Sequence, residues 1–323
     1  MKALQLTRPR VFELVEIPVP EIPEGCILVQ TGSASLCGSD VSFYNGNKRY
    51  VDYPLSPGVP NHENVGIVVE SRSGQFHPGD RVLAIPEGDR GLAEYYVALA
   101  AKATLLPPEL SARDDCCLIQ PLSTVLNAVD QLGTLEGKSV AVIGLGSIGL
   151  FFCWLLKQRA AGEILGIDPN AHRCQMAEKL GADRTVPMRS VELIHAWRAE
   201  PGLFPSPDVV IEAVGHQTET INDCLVLVRK YGTVLAFGVP DQPVYPLEYE
   251  VFFRKNASLV AVVTPDWSDY LAQARDLFLN CHAELAWMVT HRMPIIAAAH
   301  AFTLYEQHAD NILKVILDAS SWD

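Results

Sequence analysis

Residues 138–168 read KSVAVIGLGSIGLFFCWLLKQRAAGEILGID, and this stretch decides the fold of the central part of the chain. An apolar run, Ser139–Ile143, leads into the turn GLGSIG, an apolar helical segment follows, and a second apolar run, Glu163–Ile167, ends at Asp168. The order predicts a strand, a glycine-rich turn, a helix and a strand, with an acidic residue about 20 positions beyond the glycines, which is the dinucleotide-binding fingerprint. The alternative is a strand–helix–strand unit whose glycines serve only the turn.

Each part of this fingerprint has its own physical task. Gly144 permits the tight turn, Gly146 lets the backbone approach a pyrophosphate, and Gly149 allows the helix to pack closely on the strand. The helix N-terminus supplies unpaired N–H groups and the positive end of its dipole. Asp168 would accept hydrogen bonds from both ribose hydroxyls and repel a 2′-phosphate, so the sequence favours NAD over NADP. The predicted coenzyme residues of this stretch are Gly144, Gly146, Ser147, Ile148, Gly149 and Asp168.

The bulk properties limit the possible functions. A chain of 323 residues is too long for one ordinary core, so two domains are expected. The net charge of −13 argues against a nucleic acid or an anionic membrane as partner. We find no N-terminal signal segment and no apolar run long enough to span a bilayer, so a cytoplasmic protein is expected. The eight cysteines form no CxxC pair and are expected to be mostly reduced and buried, with Cys37 as the exception.

The pattern of apolar residues changes twice along the chain. The first hundred residues consist of strand-like runs broken by Pro and Gly, which predicts a small barrel or sandwich. After Asp168 strands and helices alternate as far as Val263, which predicts a doubly wound parallel sheet. The remaining pieces do not continue this alternation and are expected to fold back on the N-terminal β domain. The predicted domains are therefore 1–123 together with 264–323, and 124–263.

Two short motifs in the β domain carry side chains that can bind a metal. They are SLCGSD at Ser35–Asp40 and NHENVGIVVE at Asn61–Glu70. Both lie at the edges of strand-like runs, where side chains can converge on a cleft, and catalytic zinc takes three protein ligands while keeping one position open. Taken alone, one Cys and one His are weak evidence, because a thiol in a turn and a histidine capping a strand are common structural features.

These motifs, with GDRV at Gly79–Val82 and the GLGSIG turn, resemble the zinc-dependent medium-chain dehydrogenases in content and order. Thr290-His291 and the terminal run that begins at Lys314 extend the resemblance along essentially the whole chain. That family includes alcohol, polyol, sugar and threonine dehydrogenases. The resemblance implies an α/β fold with a GroES-like β domain and a Rossmann doubly wound parallel sheet, and an active site in the cleft between them. It also implies a homodimer or homotetramer, with dimers that pair the last Rossmann strand near Leu259–Val263.

The resemblance carries over residue by residue. It implies that Cys37 and His62 bind the catalytic zinc, and that Glu63 either binds it, as in polyol-type members, or lies just behind it. Asp40 would orient His62 through its second ring nitrogen, and Ser39 would hydrogen-bond the reacting alcohol. Four further residues are assigned to the coenzyme: Thr124 lining the nicotinamide, Lys314 or Arg173 at a phosphate or ribose, and Val214.

The sequence departs from the family pattern at four places. Gln120 replaces the usual Glu or Cys and is either a weak neutral zinc ligand or no ligand, with water completing the shell. Ser42 replaces the His that often ends the proton relay, and a hydroxyl can pass a proton but cannot store one near neutral pH. Residues 83–93, LAIPEGDRGLA, replace a lobe with four cysteines, so we expect one catalytic zinc and no structural zinc. Asn61 replaces a glycine, which we expect to be tolerated because Asn adopts left-handed backbone.

The expected reaction is the reversible, NAD-linked oxidation of a secondary alcohol, in which zinc lowers the pKa of the hydroxyl and the hydride passes to the nicotinamide. The polar groups of Ser42, Tyr44, Asn47 and Arg49 are expected to line the pocket for a polyhydroxylated substrate, a sugar, polyol or aminocyclitol. The alternative is that they belong to an ordinary solvated loop. Two other functions stay open: a zinc-free reductase of the same superfamily acting on an activated C=C bond, and an NAD-binding protein without turnover.

Overall fold

A computed structural model of the chain describes residues 1–46, 52–200 and 205–322. The chain divides into two compact units, Met1–Ser123 with Asp266–Asp323, and Thr124–Pro265. The sequence placed the second boundary between residues 263 and 264. Within the described ranges, no helix combines the length and the apolar character needed to cross a membrane. Strands and helices are numbered below along the whole chain.

The first unit is built mainly from strands, and its described residues form a seven-stranded sheet beside a two-stranded ribbon. Its strands are β1 (Lys2–Arg8), β2 (Val11–Glu16), β3 (Cys26–Ser35), β4 (Glu63–Ser71), β5 (Arg81–Ala84), β6 (Tyr95–Leu99), β7 (Ala103–Leu105), β14 (Val289–Pro294) and β15 (Lys314–Asp318). The sheet order is β14-β15-β3-β4-β5-β7, with β6 also paired to β3. Because β15 pairs antiparallel with β3, the last strand of the chain completes the sheet begun by the first hundred residues.

Helices pack on this sheet, and the first of them follows the turn after β3. They are α1 (Gly38–Tyr44), α8 (Trp267–Leu285) and α9 (Ala298–Gln307), while α2 (Ile119–Gln131) begins in this unit. Tyr44 of α1 stacks on Phe302 of α9 with ring centroids 4.9 Å apart, in a core that also holds Leu36. This packing fixes α1 and the turn that precedes it against the C-terminal segment.

The second unit contains a parallel sheet of six strands among the described residues. The strands are β8 (Val140–Ile143), β9 (Ile164–Ile167), β10 (Arg184–Val186), β11 (Val209–Glu212), β12 (Thr233–Ala236) and β13 (Ser258–Ala261), and the helices are α3 (Ser147–Gln158), α4 (Ala171–Lys179), α5 (Ser190–Ala199), α6 (Glu219–Leu227) and α7 (Tyr249–Lys255). The order β10-β9-β8-β11-β12-β13 reverses direction between β8 and β11, which makes that position the topological switch point. Every residue of β8, β9 and β11 is buried, as expected for a parallel sheet covered on both faces.

The sequence missed one helix of this unit, α7. It has only seven residues, too few for the repeated apolar spacing that marks longer helices, although Val251 and Phe252 pack partly buried against the core of this unit. Lys255 at its C-terminal end donates to the carbonyls of Val226 and Val228, at 2.5 Å each, where α6 ends. A cation at a helix C-terminus satisfies carbonyls that have no partner within the helix.

Candidate metal and coenzyme sites

The metal-capable side chains of the two motifs meet in the first unit. One ligand atom each from Cys37, His62 and Glu63 lies within 4.8 Å of the other two. The register of the sheet produces this convergence, because Glu63 at the start of β4 lies opposite Ser35 at the end of β3. One thiol, one imidazole and one carboxylate form a donor set that catalytic zinc takes, so the residues present fit a zinc ion.

Asp40 fixes two members of this cluster at once. Its Oδ1 lies 3.2 Å from Nδ1 of His62, and its Oδ2 accepts a hydrogen bond of 2.9 Å from the backbone N–H of Cys37. Burial acts to lower the pKa of His62, but the Asp40 carboxylate and, to a smaller extent, Cys37 together more than offset this, and the pKa is raised well above its ordinary value. With Nδ1 beside Asp40, Nε2 is the ring nitrogen of His62 that remains available to bind a metal.

Glu63 is shared between the cluster and a buried cation. Its two oxygens lie 2.6 and 2.5 Å from Nζ of Lys314, and one of them also accepts from the hydroxyl of Ser35. The same ammonium group donates to the carbonyl of Leu36 at 3.0 Å. Glu63 and Lys314 are both fully buried, so the carboxylate reaches the cluster already paired with a positive charge.

The coenzyme role expected for Lys314 therefore needs correction. Its side chain is 1% exposed and its ammonium group is held by Glu63 and Leu36, which leaves it no surface with which to contact a coenzyme. Burial acts to lower the pKa of Lys314, but the Glu63 carboxylate is the largest of the contributions that act in the opposite direction, and together these outweigh burial. The pKa is therefore raised above its ordinary value and the lysine stays charged. Sequence reasoning missed Lys314 as the partner of Glu63, and it also missed Ser35. Ser35 lies opposite Glu63 in the pairing of β3 with β4, so the two side chains share one face of the sheet.

The short segment 83–93 is tied directly to the ligand-bearing residues. Asn61 donates its backbone N–H to the carbonyl of Asp89 at 2.8 Å, and its carbonyl accepts from the N–H of Gly91 at 3.1 Å. The side-chain amide of Asn64 also donates to the carbonyl of Gly91. A Cβ on Gly91 would lie 2.3 Å from Oδ1 of Asn64 and 2.6 Å from Oδ1 of Asn61, so only glycine permits this approach. Asn61 is not among the residues with positive φ, so the reason given for its tolerance was wrong: its side chain instead donates to the carbonyl of Ser35.

The other residues that the sequence assigned to the site in the first unit differ in burial and in hydrogen bonding. Gln120 is buried near the start of α2. Ser39 is half-buried in the first turn of α1, next to Asp40. Ser42 donates its hydroxyl to the carbonyl of Ser39 at 2.8 Å, so its proton is engaged within the helix.

The substrate role expected for Tyr44 is wrong. Its ring is 1% exposed in the apolar core, and its hydroxyl is bonded to the carbonyl of Ala299 and the hydroxyl of Thr303. A tyrosine can bury its ring and still satisfy its polar tip, and this one does both inside the unit. Asn47 and Arg49 lie outside the described residues.

The glycine-rich turn of the second unit has the features of a pyrophosphate site. A Cβ on Gly149 would lie 1.8 Å from the carbonyl oxygen of Gly144, so α3 can approach the turn only with glycine there. A Cβ on Gly146 would meet no described atom within 4 Å, so the backbone at the start of α3 faces open space. Ser147 is buried and Ile148 half-buried in the first turn of that helix.

Asp168 at the end of β9 organises the turn from the other side. Its Oδ2 accepts from the N–H of Leu145 at 2.8 Å and its Oδ1 from the N–H of Asn170 at 2.8 Å. Nη1 of Arg173, in α4, lies 3.8 Å from Oδ2. The carboxylate and the guanidinium are thus neighbours at the position where the ribose of a bound dinucleotide is expected.

The remaining coenzyme residues lie on different elements of this unit. Val214 follows β11, and its Cγ2 would be 2.6 Å from a Cβ on Gly144, so it packs on the glycine turn. Thr124 is half-buried in α2. Val214 therefore lies against the glycine-rich turn, whereas Thr124 lies on a different element, α2.

Two family models match the chain. The alcohol dehydrogenase GroES-like domain matches residues 23–107, and the zinc-binding dehydrogenase model matches residues 147–280. The chain belongs to the zinc-type medium-chain dehydrogenases. The resemblance noted from the sequence is thereby confirmed, as is the expected fold, a GroES-like β domain with a Rossmann domain.

This dehydrogenase is similar to several characterised relatives. Sorbitol dehydrogenase of Gallus gallus is 27% identical over 317 residues, covering 88% of this chain and 87% of the relative. L-idonate 5-dehydrogenase (NAD(P)(+)) of Escherichia coli K12 is 26% identical over 243 residues, covering 66% of this chain and 69% of the relative. The structure of alcohol dehydrogenase TADH from Thermus sp. ATN1 superposes with a TM-score of 0.84 at 25% identity, covering 99% of this chain and 100% of that one. The chain is accordingly an oxidoreductase of the NAD(P)-dependent alcohol dehydrogenase type.

Proposed function

We propose that this protein oxidises a secondary alcohol of the polyol or sugar class with NAD and one catalytic zinc ion, in a reversible reaction. The observation that carries the proposal is the cluster of Cys37, His62 and Glu63, with Asp40 bonded to the histidine. A zinc-free reductase acting on C=C bonds has no use for these four groups together. The fit of the donor set to zinc favours the metal-dependent reaction.

Each residue of the cluster has a defined task. Cys37, His62 and Glu63 hold the ion, and zinc bound there would lower the pKa of an alcohol hydroxyl. Asp40 keeps the imidazole in the tautomer that presents Nε2 to the metal. Ser39, one residue before Asp40 in α1, would hydrogen-bond the alcohol and relay its proton towards solvent, giving up its own hydroxyl proton as it accepts the other.

Metal analysis of the purified protein tests the zinc site directly. We expect one zinc per chain and no second, structural ion. Cys37→Ser should lose the zinc and the activity, whereas Cys281→Ser, which alters a buried thiol of α8 in the same unit, should keep both. Full turnover by Cys37→Ser, or a wild-type protein that turns over without zinc, would show that the proposed mechanism is wrong.

The substrate class is supported by the relatives named sorbitol and L-idonate dehydrogenases rather than by the polar segment after CGSD. Tyr44 does not serve the pocket, and the residues beyond Gly46 that were expected there lie outside the described part. We expect polyols, sugar acids and aminocyclitols to give larger kcat/KM values than ethanol or 2-propanol. Higher kcat/KM for the simple alcohols in a spectrophotometric panel would exclude a polyol dehydrogenase.

A preference for NAD is supported by Asp168, because a 2′-phosphate would be placed beside a buried carboxylate. Arg173 is the cation nearest to Asp168 among the described ion pairs. Asp168→Ser should raise the ratio of kcat/KM for NADP to that for NAD by about tenfold or more, since one charge repulsion of about 1.4 kcal/mol is removed. Adding Arg173→Gln to that variant should abolish the gain, and an unchanged ratio in Asp168→Ser would contradict the assignment.

The edge of the parallel sheet supports a homodimer. β13 is an edge strand of the described sheet, with Leu259 40% exposed, and Phe253 of the adjacent α7 is 65% exposed. Unpaired strand edges with apolar side chains pair readily with a second copy. Light scattering should give a dimer or tetramer for the wild type and smaller particles for Leu259→Glu; a monomeric wild type would refute this assembly.

A further inference from the structure

Glu212, the last residue of β11, is a buried carboxylate that none of the proposed roles uses. It is 4% exposed, and its Oε1 accepts three hydrogen bonds, from the N–H groups of Val214 at 3.1 Å and Gly215 at 3.0 Å and from the hydroxyl of Thr220 at 2.9 Å. These donors are uncharged. No ion pair is formed by Glu212 among the described residues, and a buried carboxylate in that setting is costly unless its hydrogen bonds are well made, so it demands a specific arrangement of its donors.

The bonds of Glu212 connect two loops at the carboxyl edge of the sheet. Its backbone carbonyl accepts from the N–H groups of Phe237 and Gly238, which follow β12. A Cβ on Gly238 would lie 2.2 Å from the nitrogen of Gly215 and 2.4 Å from Oε2 of Glu212, so the two loops are in close contact. Glu212 therefore bonds to both the loop after β11 and the loop after β12, which are also joined by the hydrogen bond from the N–H of His216 to the carbonyl of Val239 at 2.8 Å.

The place of these two loops in the strand order shows which part of a bound coenzyme they would face. Asp168 follows β9 and the glycine turn follows β8, so a bound dinucleotide would run from the end of β9 across β8 and on toward the next strand in the sheet order, β11. With its ribose near Asp168 and its pyrophosphate at Gly146, the second half of the ligand would face the loops after β11 and β12. Val214, which packs on the turn, is bonded to Glu212 through its N–H.

We infer that Glu212 is a positioning residue for the nicotinamide half of the coenzyme: through Val214 and Gly215 it shapes the loops that meet that half, and it does not touch the adenosine half. This inference rests on the proposed coenzyme function. Glu212 acts on the coenzyme through backbone atoms and is not a catalytic residue. Its signature in the sequence is an acid closing a buried apolar strand, as Asp168 does for β9.

The test compares two ligands that share the adenosine half, NADH and ADP-ribose, on the full-length protein. Glu212→Gln keeps the size of the side chain but removes the charge that strengthens its hydrogen bonds. We expect its Kd for NADH to rise about tenfold, the factor equivalent to one charge-assisted hydrogen bond, with the Kd for ADP-ribose changed by less than about twofold. Thr220→Val removes one of the three donors and should give a smaller change with the same selectivity.

A matched control lies at the opposite end of the same strand. Asp208, just before β11, accepts from the N–H and hydroxyl of Ser139 and from Arg229. Asp208→Asn should lower the thermal midpoint without altering the ratio of the two Kd values. Hydrogen exchange adds a readout without coenzyme, since the amides of Val214 and Gly215 should exchange faster in Glu212→Gln.

The outcomes separate the two proposals. Equal weakening of NADH and ADP-ribose by Glu212→Gln, or no weakening of either, would overturn the role of Glu212. Failure of the wild-type protein to bind either ligand would instead overturn the proposed coenzyme function on which the inference rests.

Discussion

Replacing Lys314 by methionine tests the buried ion pair behind the metal cluster. In the wild type the side chains of Lys314 and Glu63 are 1% and 0% exposed, and Ser35 adds a hydrogen bond to the same carboxylate. Lys314→Met keeps most of the apolar stem of the side chain, removes the ammonium group and leaves Glu63 as a buried charge without that cation. Removing one partner of such a pair costs about 3–5 kcal/mol of unfolding free energy.

The expected shift in melting temperature follows from that loss. For a unit of this size about 2–4 °C is lost per kcal/mol, so the first unit should melt roughly 6–20 °C lower in the variant. The assay is differential scanning calorimetry in EDTA. Lys102→Met provides the control, because its single contact with Glu87, at 3.0 Å, is far more exposed (35% and 40%) and such pairs contribute about 0–1 kcal/mol.

Zinc adds a second expectation for the same variant. An ion bound by Glu63 would compensate the buried carboxylate in place of the missing ammonium, so zinc should raise the melting temperature of Lys314→Met more than that of the wild type. The reasoning would be refuted if Lys314→Met in EDTA were within about 1 kcal/mol of the wild type, the range of an exposed pair.

Two further predictions concern the second unit. Gly149→Ala places a Cβ 1.8 Å from the Gly144 carbonyl oxygen and should lower the free energy of unfolding by about 1–3 kcal/mol. Gly146→Ala should instead leave the melting temperature unchanged and weaken NADH binding. Equal melting temperatures for the two variants would contradict the close packing at Gly149. Burial lowers the pKa of Lys255 from 10.5 to about 8, so between these values the unfolded chain binds more protons than the folded one, and stability rises with pH. The wild type should therefore gain stability relative to Lys255→Met from pH 8 to 10.5 in urea titrations, and a constant difference would show that the lysine titrates normally.

The coenzyme unit could be predicted closely because its signals are local. β8, the glycine turn, α3 and β9 follow one another along the chain, and each carries a periodicity or a glycine whose reason is steric. Even Asp168 lies close in sequence to the turn it organises. The helix α7 was missed because its seven residues are too few to show a helical repeat.

The metal cluster was only partly predictable. Cys37, His62 and Asp40 could be named from two motifs, and the structure brings them together. Lys314 was assigned wrongly because its partner Glu63 is 251 positions away in the sequence. Tyr44 was assigned wrongly because a polar group in a motif looks the same whether it faces a substrate or the core.

Local patterns in the sequence were enough to predict most of the strands and helices, the glycine-rich turn and the metal-capable side chains. The partner of each buried charge, Lys314 for Glu63 and the loop amides for Glu212, could be found only in the folded chain. The physical reason is that periodicity and turns depend on neighbouring residues, whereas the pairing of a buried charge depends on the register of strands that are distant in the chain, here β15 beside β3 and β3 beside β4.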